Sequence, residues 1–188
     1  MNNSKKGFTL VELLIVIAIL AILSVAVVLV LNPAELIKQS RDSTRVSDMA
    51  ALNSAIALYL TDVSTPYLGG AAAACSVATS TCTFATTTAP YVAAACPRVV
   101  TSSTVDGTGW VTINLGAVSA GAPISRLPID PVNSAAYLYT YGCSGLNYKL
   151  GTVMESAKYG SASTGYMRNA FDGGTNNGWY EVGNTLSL

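Results

Sequence analysis

The chain has no histidine among its 188 residues. That removes the usual general base, the commonest metal ligand and any histidine-containing catalytic triad. Charge is scarce as well: Asp, Glu, Lys and Arg make up 11% of the chain, and the formal net charge is zero. No basic block occurs, so nothing marks a broad nucleic-acid-binding surface. An enzyme built from this chain would have to work with carboxylates such as Asp130, Glu155 and Glu181. Their spacing does not single out an acid with its partner base, so catalysis is not the expected role.

What the chain has instead is a long apolar run near its start. Residues 8–31 carry one charge, Glu12, and only Thr9 and Ser24 as other polar side chains. As a helix the run would be roughly 36 Å long at about 1.5 Å per residue. That is enough to cross a hydrocarbon core of about 30 Å. Lys5 and Lys6 precede the run, and no basic residue follows until Lys38. The charge bias places the N-terminus in the cytoplasm and the rest of the chain outside. A secretory signal would have a shorter apolar core followed by a small-residue cleavage site. A plain anchor accounts for the length but not for Glu12. A carboxylate one turn inside such a helix costs about 2.5–3.5 kcal/mol on insertion scales, and intramembrane carboxylates are functional by default.

The short basic leader ending in Gly7, then Phe8-Thr9-Leu10-Val11-Glu12, then the unbroken apolar run, resembles the N-terminus of type IV prepilins, the family that includes the pseudopilins of type II secretion. The resemblance implies cleavage by a prepilin peptidase between Gly7 and Phe8, removing leader residues 1–7. It also implies N-methylation of the new amine at Phe8. It implies a helical homo-oligomeric filament in which Glu12 of one subunit approaches the Phe8 amine of its neighbour. Such a pair in apolar surroundings is strong only when matched, so it would set subunit register. The implied partners are the peptidase, an inner-membrane assembly platform with its ATPase, and the membrane before assembly.

Four cysteines, Cys75, Cys82, Cys96 and Cys143, lie beyond the apolar run. An even count in an exported domain points to two disulfides. Three pairings are open. The favoured one has Cys75–Cys82 as a local loop and Cys96–Cys143 tying the middle of the domain to its sheet. Zinc would want Cys-x2–4-Cys pairs, which the spacings do not supply.

Asn32-Pro33 should interrupt the helix, because proline lacks a donor and disfavours helix at the preceding residue. Residues 32–63 read as its amphipathic continuation. Val46, Met49, Leu52 (or Asn53), Ile56, Tyr59 (or Leu60) and Val63 form a stripe at spacings of three and four. Lys38, Arg41, Asp42, Arg45, Asp48 and Asp62 fall on the other faces. Residues 64–109 are rich in Ala, Thr and Ser and read as a loop-rich, disulfide-stapled connection, with residues 71–74 as a short helix candidate. Its Thr and Ser clusters are weak candidates for glycosylation.

The last stretch, residues 110–188, should hold a small antiparallel sheet and a C-terminal loop. Strands are expected at 110–115, at 137–141 with its tyrosines on one face, and at 146–154. A turn is expected at residues 142–145, between the last two. The order Leu127-Pro128-Ile129-Asp130-Pro131, tyrosine strand, turn, second strand and Glu155 again looks like bacterial pilins and major pseudopilins. Those pseudopilins bind calcium in a C-terminal loop, for which Asp172, Thr175, Asn176 and Asn177 are weak candidates here. The plainer reading is a Gly/Asn turn before a short strand at 179–182.

The expected fold is therefore α+β and type IV pilin-like. A long N-terminal helix, transmembrane in its first half, packs its second half on a small antiparallel sheet. The expected function is a structural one: a major pilin of an extracellular filament, with a major pseudopilin as the alternative and a minor pilin or tip adhesin behind both. Adhesion, motility, DNA uptake and type II secretion are the roles such filaments serve.

Overall fold

The computed structural model describes residues 7–69, 75, 80–85, 96–160, 172–174 and 176–188. The chain falls into two compact units, Met1–Ile37 and Lys38–Leu188. The expected helix at 71–74 and the Thr/Ser cluster at 86–88 lie outside the described residues.

The first unit is dominated by helix α1, Leu10–Leu31. Within it the 19 residues Leu10–Val28 have a mean hydropathy of 3.1, and none of that window is buried. Apolar side chains point outward all round, from Leu10 to Val28. In water that would be untenable, and a helix apolar on every face belongs in lipid or in a core of other chains. The protein is membrane-anchored by this helix. It stops at Asn32, whose backbone is left-handed at φ 38° and ψ 75°. Pro33 disfavours the right-handed helical conformation there, and asparagine is among the few residues that tolerate the left-handed one. Helix α2, Pro33–Asp62, starts at once. Its proline occupies the first position, where the missing donor costs nothing. The Asn32 carbonyl accepts from Glu35 and Leu36 to begin the new ladder.

In the second unit, the main part of α2 meets a five-stranded sheet. The strands are β1 (Thr81–Cys82), β2 (Arg98–Val99), β3 (Tyr139–Ser144), β4 (Asn147–Thr152) and β5 (Tyr180–Gly183). Their spatial order is β2-β1-β3-β4-β5. The β1–β2 pair is parallel and the others are antiparallel. The architecture is α+β and consistent with the pilin-like expectation.

Met49, Leu52, Ala55, Ile56 and Tyr59 of α2 are buried against Tyr139, Tyr141, Cys143, Tyr148 and Leu150 of the sheet. Each fully buried Leu or Ile contributes about 1.5–3 kcal/mol, so this stripe holds the two layers together. Strand alternation puts Leu138 on the opposite face, where it packs with Cys82 and Trp179. The tyrosine hydroxyls at the layer boundary all find acceptors. Tyr139 donates to Asp48 at 2.7 Å, Tyr141 to the Leu68 carbonyl at 2.7 Å and Tyr148 to Asn53 Oδ1 at 2.7 Å.

Two expectations are corrected here. Residues 110–115 are not a strand. Trp110, Val111, Ile113 and Leu115 are all fully buried and only Asn114 is exposed, so the segment threads the core instead of lying across its surface. Its backbone bonds go to loops, from Trp110 to Ser102 and from Leu115 to Val105. A 3-10 turn follows at Leu115–Ala117. The turn expected at 142–145 lies further on, because β3 continues to Ser144 and pairs with Asn147. The loop is the dipeptide Gly145-Leu146, and Gly145 has the positive φ of 62° that such a tight turn requires. Beside the apolar stripe of α2, Asp42 and Arg45 are fully buried as well.

Candidate functional site

The N-terminal site is local. Thr9 precedes α1 with extended backbone, and its hydroxyl accepts from the Glu12 N–H at 3.2 Å. The Glu12 carboxylate accepts in return from the Thr9 N–H and the Thr9 hydroxyl, both at 2.8 Å and both on Oε2. This is a capping box, which satisfies two donors that a helix start otherwise leaves open. Within one chain, then, Glu12 is held by Thr9. Phe8 is 85% exposed, and a Cβ built on Gly7 would meet nothing within 4 Å. The chain's own packing gives no reason for a glycine at position 7.

A second site was not visible in the sequence. Arg45 donates to Asp130 through Nε at 2.6 Å and Nη2 at 2.9 Å, and to Asp42 through Nη1 at 2.7 Å. Its third acid partner, Glu155 Oε2, is 3.4 Å away. Arg41 makes a two-pronged pair with the same Glu155. The Tyr137 ring lies 5.0 Å from the Arg45 guanidinium carbon. Backbone donors complete the acids: Glu155 and Ser156 N–H to Asp42, Val132 and Asn133 N–H to Asp130. Burial opposes the Arg45 cation, yet its bonds to Asp130 and Asp42 outweigh it and hold its pKa above the usual value. The Arg41 bond keeps Glu155 below the ordinary glutamate range, against a smaller effect of burial. This cluster ties α2 to the loop before β3 and the segment after β4. Asp130 and Glu155 are thus structural ion partners here.

The disulfides are Cys75–Cys143 and Cys82–Cys96, which corrects the expected pairing. The reason is the two faces of the sheet. Cys143 packs in the helix-side core with Cys75 beside it. Cys82 belongs to the cluster on the opposite face, and Cys96 packs against it there. Cys75 and Cys82 are near in sequence but on different sides of the sheet.

At the C-terminal loop, Thr175 lies outside the described residues. Asp172 accepts from Gly174 N–H at 2.7 Å through Oδ1 and from Glu181 N–H at 2.6 Å through Oδ2. Burial, with a smaller push from Glu181, raises its pKa. The Asn176 side-chain oxygen accepts from Gly178 N–H at 3.0 Å, and Asn177 is exposed. The residue that gathers this loop is Glu181. Its Oε2 accepts from Asn176 N–H at 3.1 Å, and its Oε1 lies 2.8 Å from the Lys149 ammonium. Among the described residues no group of three or more acidic or sulfur side chains could hold a metal. A calcium ion takes six to eight oxygens, largely from carboxylates. The Asp172 and Asn176 side-chain oxygens accept from backbone donors, and the neighbouring Glu181 carboxylate faces the Lys149 cation.

These features define a class: an α+β domain carried behind an all-apolar helix with a capped glutamate in its first turn. Residues 2–28 match the family model described as the prokaryotic N-terminal methylation motif. The chain therefore carries the type IV prepilin and pseudopilin signal. That motif implies processing by a prepilin peptidase and assembly into a filament. No curated protein and no solved structure matches the chain.

Proposed function

We propose that this protein is a structural filament subunit, a major pilin, and not an enzyme. The observation that carries the reading is α1: apolar on every side, exposed from Leu10 to Val28, and bearing one carboxylate, Glu12, within the methylation motif. On this reading cleavage falls between Gly7 and Phe8 and the Phe8 amine is methylated. Before assembly the helix crosses the cytoplasmic membrane with its N-terminus inside and unit Lys38–Leu188 outside. During assembly, driven by a membrane platform and its ATPase, α1 leaves lipid for a core of identical helices. Glu12 then exchanges its bonds to Thr9 for the Phe8 amine of a neighbour, and a mismatched register leaves that carboxylate uncompensated in apolar surroundings.

Intact-mass measurement of the protein from cells is the test of processing. It should find the 181 residues that remain of 188, plus one methyl and less the four hydrogens lost to two disulfides. An untrimmed N-terminus in processing-competent cells would overturn the reading. Glu12→Ala should insert in the membrane normally yet yield no ordered filaments; wild-type filament yield from that variant would sink the register mechanism. Long surface filaments at native expression, labelled along the shaft, distinguish a major pilin. Filaments confined to overexpression with a secretion defect on deletion identify a pseudopilin, and tip-only labelling a minor pilin.

A further inference from the structure

Lys149 is an unusual residue to find inside a sheet. It lies on β4, between Gly142 of β3 and Gly183 of β5. Its side chain is 2% exposed, and the Glu181 side chain facing it is 1% exposed. Lysine and glutamate are almost never buried so completely unless paired. Here the Lys149 ammonium is 2.8 Å from Glu181 Oε1 and donates to the carbonyl oxygens of Leu188 at 2.8 Å and Leu186 at 3.4 Å. Among the described residues, a single buried cation thus collects one carboxylate oxygen and two main-chain oxygens from residues 181–188. Those are the ligand types that a hard divalent ion selects. The other oxygen of Glu181 holds Asn176 N–H, and Asp172 holds Glu181 N–H, so the loop is drawn in around the same carboxylate. Space is closed on the loop side: a Cβ on Gly174 would stand 1.9 Å from Glu181 Oε2. A divalent ion placed here would meet an ammonium at short range, and two like charges repel strongly in a poorly solvated site.

We propose that Lys149 is the resident cation of the C-terminal loop, holding loop and tail onto the sheet where a divalent ion would otherwise be needed. The loop consequently takes no calcium, and the stability of the domain is indifferent to it. The inference stands on the geometry around Lys149 and does not depend on the filament reading.

The test uses the full-length chain in detergent. Both tryptophans, Trp110 and Trp179, lie in unit Lys38–Leu188, so their fluorescence reports its melting. With millimolar calcium or with excess EDTA the midpoint should be the same. An ion bound at a hundred times its Kd would raise it by about 5–10 °C, and a rise of that size would overturn the proposal. Lys149→Met should lower the midpoint and speed trimming of residues 184–188 by carboxypeptidase at least tenfold. Unchanged trimming would overturn the tie to the tail. If Lys149→Met does not fold, the double variant K149M/E181L, which removes both buried charges, should recover a folded domain. Failure of the double variant as well would count against the proposal.

Discussion

The buried Arg45 cluster makes the most exacting prediction. In Arg45→Met the cation is lost while Asp42 and Asp130, both with fully buried side chains, remain. Breaking a buried pair from one side costs about 3–5 kcal/mol, because the remaining charge is uncompensated. Two features of the structure place this case near the lower end. Asp42 keeps backbone donors from Glu155 and Ser156, and Asp130 keeps those from Val132 and Asn133. A loss of about 3 kcal/mol corresponds to a midpoint lower by about 6–12 °C in a domain of this size. Arg45→Lys should recover less than half of that, since a lysine cannot reproduce the two-pronged bond to Asp130 while also reaching Asp42. R45M/D130L should lose less than R45M alone, because one stranded charge goes with its partner. Thermal and denaturant melts followed by tryptophan fluorescence measure all three. An R45M variant within about 1 kcal/mol of wild type would mean that the cluster does not hold the layers as described, since a broken buried pair costs more than that.

Three more expectations follow from the same geometry. Removing Cys75–Cys143, which spans 68 positions, should cost more than removing Cys82–Cys96, which spans 14. Loop-closure entropy puts the two at about 4 and 3 kcal/mol; equal or reversed losses in paired Cys→Ser variants would contradict this. Peptide mapping of the non-reduced protein should recover those two crosslinks, and a Cys75–Cys82 peptide would refute the pairing. Glu155, depressed chiefly by Arg41, has a folded-state pKa below its ordinary value of 4.5. Its stabilising effect is therefore complete above that pH and is lost as pH falls through the lower, folded-state value. Glu155→Gln should flatten that acid limb of a stability–pH curve, and an unchanged limb would show that another group is responsible.

How much of this was legible depends on whether the signal was local. Helix α1 was readable because nothing interrupts its hydropathy, and its break because Pro33 constrains Asn32. The α2 stripe was readable in Met49, Leu52, Ile56 and Tyr59, whose spacing survives as burial. The β3–β4 hairpin was readable because its tyrosines alternate. Residues 110–115 misled because an alternating pattern implies one wet face, and here only Asn114 is exposed. Strands β1 and β2, two residues each, carry no periodicity at all. The Arg45 site was hidden for a different reason. A charged residue on a helix is ordinarily a solvated one, and the partners that bury this one lie 85 and 110 positions away. The Lys149–Glu181 pair was hidden likewise, split between two strands. At the N-terminus Thr9 and Glu12 are only three positions apart, yet their reciprocal bonds were not anticipated, because the resemblance directed attention from Glu12 to a neighbouring subunit's amine.

The long reach of the Arg45 cluster has a consequence for how the chain is made. Chains emerge N-terminus first at about 5–20 residues per second. Arg45 is delivered early, and its most distant partner, Glu155, follows 110 positions later, roughly 5–20 s at that rate. Until Asp130 emerges 85 positions on, α2 carries a cation with only Asp42 beside it, and Glu155 completes the cluster later still. The helix cannot reach its final environment until the hairpin and the segment beyond it have arrived. A chain truncated before residue 155 should therefore be handled by the cell as unfinished, and the interval is a window in which chaperones or proteases decide its fate.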